Sequence, residues 1–155
     1  MERVRVTDVD PWMAPASTKR PLSNALDAED VAINHYELAP GESFAFGYHR
    51  HAEQEEVFFV LEGTATFETE ADEVEVEAGE AVRFAPGEWQ QGTNETSDRV
   101  VALAIGAPAD AGETTILREC PDCGERTEQS VQPTEEGDAL ATVCEACGAE
   151  TGRFD

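Results

Sequence analysis

Between Asp30 and Ile105 the apolar residues recur with the two-residue beat of extended strands, in short runs cut by glycine and proline. Successive side chains of a strand point to opposite faces, so such a beat marks strands with one buried side. The clearest run is Glu55–Glu62 (EEVFFVLE), which stops at Gly63 and reverses into Thr64–Glu70. Arg3–Thr7 reads as a first strand, after which Pro11, Pro15 and Pro21 break the pattern into loops. Asp30–Leu38 is a second extended run, closed by the turn signal Pro40-Gly41. Beyond a polar turn near Ala71-Asp72, Val74 and Val76 alternate with Glu73, Glu75 and Glu77, which predicts one buried and one wet face. Ala81–Phe84 and Arg99–Ile105 complete the set. No stretch carries a convincing helical period, and the expected fold is an all-β sandwich or barrel.

The phase of Glu55–Glu62 has a consequence. With Glu56 inward, Phe58 and Val60 are inward too, and Val57, Phe59 and Leu61 form an apolar outer face. Such a face needs a cover, either the N-terminal segment or a second subunit packed sheet against sheet, and a homodimer is expected here.

The small-residue run Ala107–Gly112 divides the chain into a barrel over 1–112 and an appendage over 113–155. An appendage of that size needs a staple. All four cysteines lie there, in two pairs, Cys120/Cys123 and Cys144/Cys147, each followed by glycine (CPDCG and CEACG). Twenty residues separate the inner cysteines, and none is left over for a disulfide framework. Two such knuckles complete a tetrahedral thiolate site with no open position. The segment resembles a zinc ribbon, which implies structural zinc and a strand near Ala139–Val143. A rubredoxin-like iron site has an aromatic core, whereas Phe154 is the only aromatic residue here.

A second candidate centre lies in the barrel. His49 and His51, two of the three histidines, stand at i and i+2 and so share one strand face. Glu56 follows on the next strand, and two imidazoles with one carboxylate on a common face suit a divalent ion. His49, His51, Glu56 and Gly63 have the spacing of the first motif of the cupin family, with Gly41 and Gly47 flanking the place of its upstream glycine. Gly79, Gly87 and Asn94 follow the second motif, whose histidine position holds Gln90. The resemblance covers about residues 30–106 and implies a jelly-roll β-barrel with a metal held by His49, His51 and Glu56. Iron, manganese, nickel or zinc suits these donors, with Gln90 a weak fourth ligand or a hydrogen-bonding group for whatever binds. Glu55 is the one candidate for a general acid or base. Tyr48, Arg50 and Trp89 should point away from the ion, Phe44, Phe46, Phe58 and Phe84 should line the barrel, and His35 and Arg83 have ordinary polar roles.

Charge narrows the partners. The chain has 34 acidic and 10 basic residues, a net −24, with Lys19 the only lysine. Such a surface repels nucleic acid and anionic membranes. Its composition is similar to that of haloarchaeal cupin-domain proteins, and partial unfolding in dilute buffer is expected; a melting temperature indifferent to KCl would contradict that. The N-terminus lacks the apolar stretch of a secretion signal and no run is long enough to span a bilayer, so a cytoplasmic place is expected. GxxxxGK[ST], GxSxG and HExxH are absent. What remains is a metal-binding cupin pocket for a small oxygen-bearing ligand, with a ribbon able to dock a protein partner. The alternative is a metal-dependent dioxygenase or isomerase.

Overall fold

A computed structural model describes residues 1–155. Thirteen strands build two sheets. The strands are β1 (Thr18–Pro21), β2 (Ala32–Leu38), β3 (Tyr48–His51), β4 (Glu55–Glu62), β5 (Thr64–Thr69), β6 (Glu73–Glu77) and β7 (Ala81–Phe84). They continue with β8 (Gln90–Thr93), β9 (Val100–Ala107), β10 (Thr114–Cys120), β11 (Glu125–Pro133), β12 (Leu140–Cys144) and β13 (Glu150–Phe154). One sheet runs β1-β2-β9-β4-β7 and the other β13-β12-β11-β10-β3-β8-β5-β6, with every pairing antiparallel. The one α-helix, α1, is a single turn over Leu22–Ala25.

The alternation of β4 sorts its side chains as expected: Phe58 and Val60 are buried, while Phe59 and Leu61 stay 36% and 44% exposed on the outer face. The two sheets close over 14 buried residues. At the centre Phe44, Phe58, Phe67 and Phe84 pack with ring centroids 5.0–6.3 Å apart, and Tyr36 meets Phe44 edge-on at 5.3 Å. Truncating a buried phenylalanine costs about 3–5 kcal/mol, so this cluster fixes how far apart the sheets stand. Two glycines are required by space. A Cβ on Gly63, whose φ is +78°, would lie 2.5 Å from the Arg99 carbonyl, and one on Gly92 would lie 2.5 Å from the Phe67 ring.

Arg3–Thr7 is not a strand; the backbone there makes a short 3-10 turn at Val6–Asp8. Alternation provides a face but no pairing partner, and the sheet edge is taken by β1, from the proline-punctuated stretch expected to be loop. The run Ala107–Gly112 does not hang free. Buried Gln54 donates its amide to the carbonyls of Pro108 (2.8 Å) and Ala109 (3.3 Å), which presses the run against the barrel.

Past that run, β10 pairs with β3, setting Thr114 opposite His51 and Ile116 opposite His49. The first strand of the cysteine-bearing segment is therefore a neighbour of the histidine strand within one sheet. Gly47 permits the approach, since a Cβ there would lie 2.5 Å from the Leu117 carbonyl. Further ties follow. Arg126 forks onto Glu68 (2.8 and 3.0 Å) and covers the Tyr48 ring, and Arg118 donates to the Phe46 and Thr151 carbonyls while lying over Phe154.

Candidate metal centres

His49 and His51 come from β3 in the larger sheet, and Glu56 comes from β4 in the smaller one. The three side chains meet between the sheets, their candidate ligand atoms all within 4.8 Å of one another. Glu56 Oε2 lies 3.4 Å from His51 Nε2 and 4.0 Å from His49 Nε2. Bonds of about 2.0–2.2 Å from one ion to nitrogen and oxygen put neighbouring donors about 3–4 Å apart, so the spacing fits a shared cation.

The imidazoles are oriented for the task. His49 Nδ1 lies 3.0 Å from the Gly47 carbonyl, which can only accept, so Nδ1 carries the proton and Nε2 presents its lone pair inward. Burial holds this imidazole below its ordinary pKa against the pull of the Glu56 carboxylate, which keeps it in the neutral, ligating form. His51 Nδ1 is held at 2.9 Å by the Thr114 hydroxyl of β10, leaving its Nε2 toward Glu56. Hydrogen bonds to the outer ring nitrogen fix tautomer and direction in metal-binding histidines.

Gln90, opposite His49 on β8, is 2% exposed. Its amide nitrogen donates to Glu56 Oε2 (2.8 Å) and to His49 Nε2 (3.1 Å), while its buried Oε1 has no partner. The lone pairs of the triad thus converge where one donor now satisfies two of them, and a cation is the other species that can. Turning the amide over would bring its oxygen to the same point.

A cavity of about 270 Å³ opens on this centre. Tyr36, Phe44 and Phe58 contribute its apolar floor, and Ala109 and Ala111 of the pinned run and Ile116 of β10 form part of its wall. Sequence reasoning missed this wall, because it depends on β3–β10 pairing across more than sixty residues.

Other expected residues fall into place. Glu55 pairs with Arg83 on an exposed surface and does not line the cavity, so it is not available there as an acid or base. Trp89 stacks on Tyr48 at 5.2 Å and the Arg50 guanidinium lies over its ring at 4.8 Å, and none of the three lines the cavity of the triad. Phe46 does line the cavity, and Phe154 packs edge-on against it at 5.2 Å. Asn94 is fully buried and ties the Leu38 and Asp98 carbonyls, a structural duty. His35 sits on β2, outside the triad.

The cysteines converge as well. Cys120 Sγ and Cys147 Sγ are 3.6 Å apart, and Cys123 Sγ and Cys144 Sγ 3.9 Å. Zn–S bonds of about 2.3 Å set tetrahedral sulfurs about 3.8 Å apart, so the cage has the size for such an ion. The Thr127 hydroxyl, 3.0 Å from Cys144 Sγ, helps to pull that thiol down to about 6, whereas hydrogen bonds from Cys147 and Cys120 push Cys123 up to about 12. Four thiols this close do not all ionise unaided; a cation at their centre lets them.

Residues 34–106 match the family model described as a cupin domain. No curated protein matches the chain. A sugar phosphate isomerase of a cupin superfamily from Silicibacter pomeroyi superposes with a TM-score of 0.62 at 18% identity, covering 96% of this chain and 91% of its own. The polyketide cyclase RemF from Streptomyces resistomycificus gives 0.64 at 25% identity, covering 79% and 89%. A predicted oxalate decarboxylase from Thermotoga maritima gives 0.59 at 21% identity, covering 68% and 98%. Over residues 34–106 the sequence is thus similar to a cupin domain, the jelly roll around it is the fold of the similar structures, and two histidines face a glutamate from the opposite sheet.

Proposed function

We propose that the barrel binds a divalent transition metal through His49, His51 and Glu56 and presents it to a small oxygen-bearing ligand. The cysteine cage, in this reading, holds structural zinc. The observation that carries the first part is the convergence of the two inward-facing Nε2 atoms and the Glu56 carboxylate inside the cavity. A bound ion would supply Lewis acidity through coordination positions that a three-ligand set leaves open. The chain's own residues hold His49 in one neutral tautomer, orient the His51 ring through Thr114, and exclude bulk water with the Phe44–Phe58 floor. Gln90 either lends an amide oxygen to the site or donates to the ligand. Iron, manganese, nickel and zinc all suit the donor set.

A second reading is catalytic, a metal-dependent isomerase or dioxygenase. It is favoured by the isomerase, decarboxylase and cyclase descriptions of the similar structures. Further proposals are a homodimer through the outer face carrying Phe59 and Leu61, a ribbon that meets a protein partner, and a cytoplasmic, salt-adapted life.

Elemental analysis of protein purified in high salt tests the main reading. Two metal equivalents, one lost in His51→Ala with the zinc retained, are the expected result. A non-zinc barrel ion would strengthen the catalytic alternative, and zinc alone at one equivalent would leave the barrel a metal-free binding pocket. If both ions survive His51→Ala, the ligand assignment falls.

A further inference from the structure

Lys19 is the only lysine of a chain with 34 acidic residues, yet no carboxylate lies within ion-pairing distance of it. It sits on β1 in register with the inward-facing Tyr36, and its Nζ lies 5.7 Å from the centre of that ring. Its ammonium donates no hydrogen bond within the protein, although it lines the same cavity as His49, His51 and Glu56. Lys19 is partly buried, and withdrawing a charge even partly from water without an ionic partner costs free energy, while an acidic protein has such partners in abundance to offer. Burial draws the lysine below its ordinary pKa, with Glu56 pulling the other way. Asn34, on the same strand face as Tyr36, adds a second side chain to the cavity with no hydrogen-bond partner in the protein.

We propose that Lys19 forms an anion subsite of this cavity, and that the ligand is a small carboxylate with an adjacent oxygen, the carboxylate meeting Lys19 and the oxygens sharing the ion. This rests on the metal reading above and adds the charge class of the ligand. Three features select that class. The cavity, at about 270 Å³, lies just under the roughly 300–1,000 Å³ of drug-sized sites. No arginine lines it, whereas phosphate recognition favours the guanidinium fork. A net −24 repels anions from the surface at large, so an anion is held only where local cations outweigh that field. A neutral polyol would leave the ammonium uncompensated.

The test uses the full chain loaded with Mn2+ and compares lactate with lactamide, which have nearly the same shape and the same hydroxyl and differ in charge. Calorimetry should show lactate bound more tightly than lactamide by wild type. Lys19→Met should weaken lactate at least about tenfold while leaving lactamide affinity unchanged and Mn2+ affinity undiminished, since a cation is removed from the neighbourhood of Glu56. Lys19→Arg, which keeps the charge, should retain most of the lactate affinity. Lactate binding unchanged in Lys19→Met overturns the subsite, as does equal weakening of lactate and lactamide. The lysine is then an inward-pointing charge that protects a sheet edge from pairing. Failure of wild type to take up Mn2+ in a His51-dependent way would instead overturn the metal reading. The Lys19→Met comparison on metal-free protein would then decide the subsite by itself.

Discussion

The barrel and the cysteine-bearing segment solve the problem of holding shape in opposite ways. The barrel encloses phenylalanine, leucine and valine between two sheets, whereas the buried residues beyond Gly112 are Cys120, Gln129, Ala139, Ala141, Thr142 and Cys144. No large apolar side chain among them can drive folding, so the cysteine cage and the neighbouring sheet must do so. In the barrel the reverse holds: the aromatic core sets the strands, and the strands then bring two imidazoles and a carboxylate together. On the proposed reading, a metal would organise one region and be a guest in the other.

The largest effect expected from that contrast comes from breaking the cage. Cys123→Ser, or treatment with a strong chelator, should raise amide exchange in β11–β13 by more than about a hundredfold, while β4 and β9 keep their protection. Simultaneous loss of protection in β4 would show that the two regions unfold as one, and the contrast would fail. Next in size is Thr114→Val, which removes the hydroxyl that orients His51. Barrel-metal affinity, read by competition with a chelator, should drop about 10–100-fold with metal binding at the cysteine cage untouched. An unchanged affinity would mean that β10 does not support the site.

The smallest effect concerns the barrel alone. Burial, above all, holds His35 below its ordinary pKa, with Arg20 and Arg99 adding to the shift and Glu37 opposing it. The unfolded chain takes up this proton near pH 6.5 and the folded chain resists, so the stability from the neutral form is complete above that pH and is lost as pH falls through the interval below it. His35→Gln should therefore show a shallower fall in melting temperature between pH 7 and pH 5.5 than wild type. Equal slopes would mean that His35 titrates alike in the folded and unfolded chain.

How much of this was legible depended on whether the signal was local. The β4 strand was plain from EEVFFVLE, because strict alternation and a terminal glycine are read within a few residues. The triad was legible for the same reason, as i and i+2 spacing on one strand followed by a carboxylate on the next. Arg3–Thr7 shows the limit: alternation without an open edge to pair with made only a turn. Thr18–Pro21 shows the converse, since TKRP has no apolar beat and becomes a strand only because β2 lies ready to pair with it. Lys19 could have been noticed as the lone lysine, but its inward face follows from that pairing. The β3–β10 contact joins distant parts of the chain, and its one local trace is Gly47, whose missing side chain makes room for Leu117.

That contact bears on how such proteins are assembled over evolutionary time. Fused modules are commonly imagined as beads that can be cut apart or swapped at the string between them. Here the last bead lends its leading edge to the first, so a cut after Gly112 would strip a row of backbone hydrogen-bonding groups bare beside the histidines. A naked strand of that kind invites a neighbouring molecule to fill the gap. Shuffling would more readily yield clumped protein than an independent barrel, which favours inheritance of both halves as a single piece.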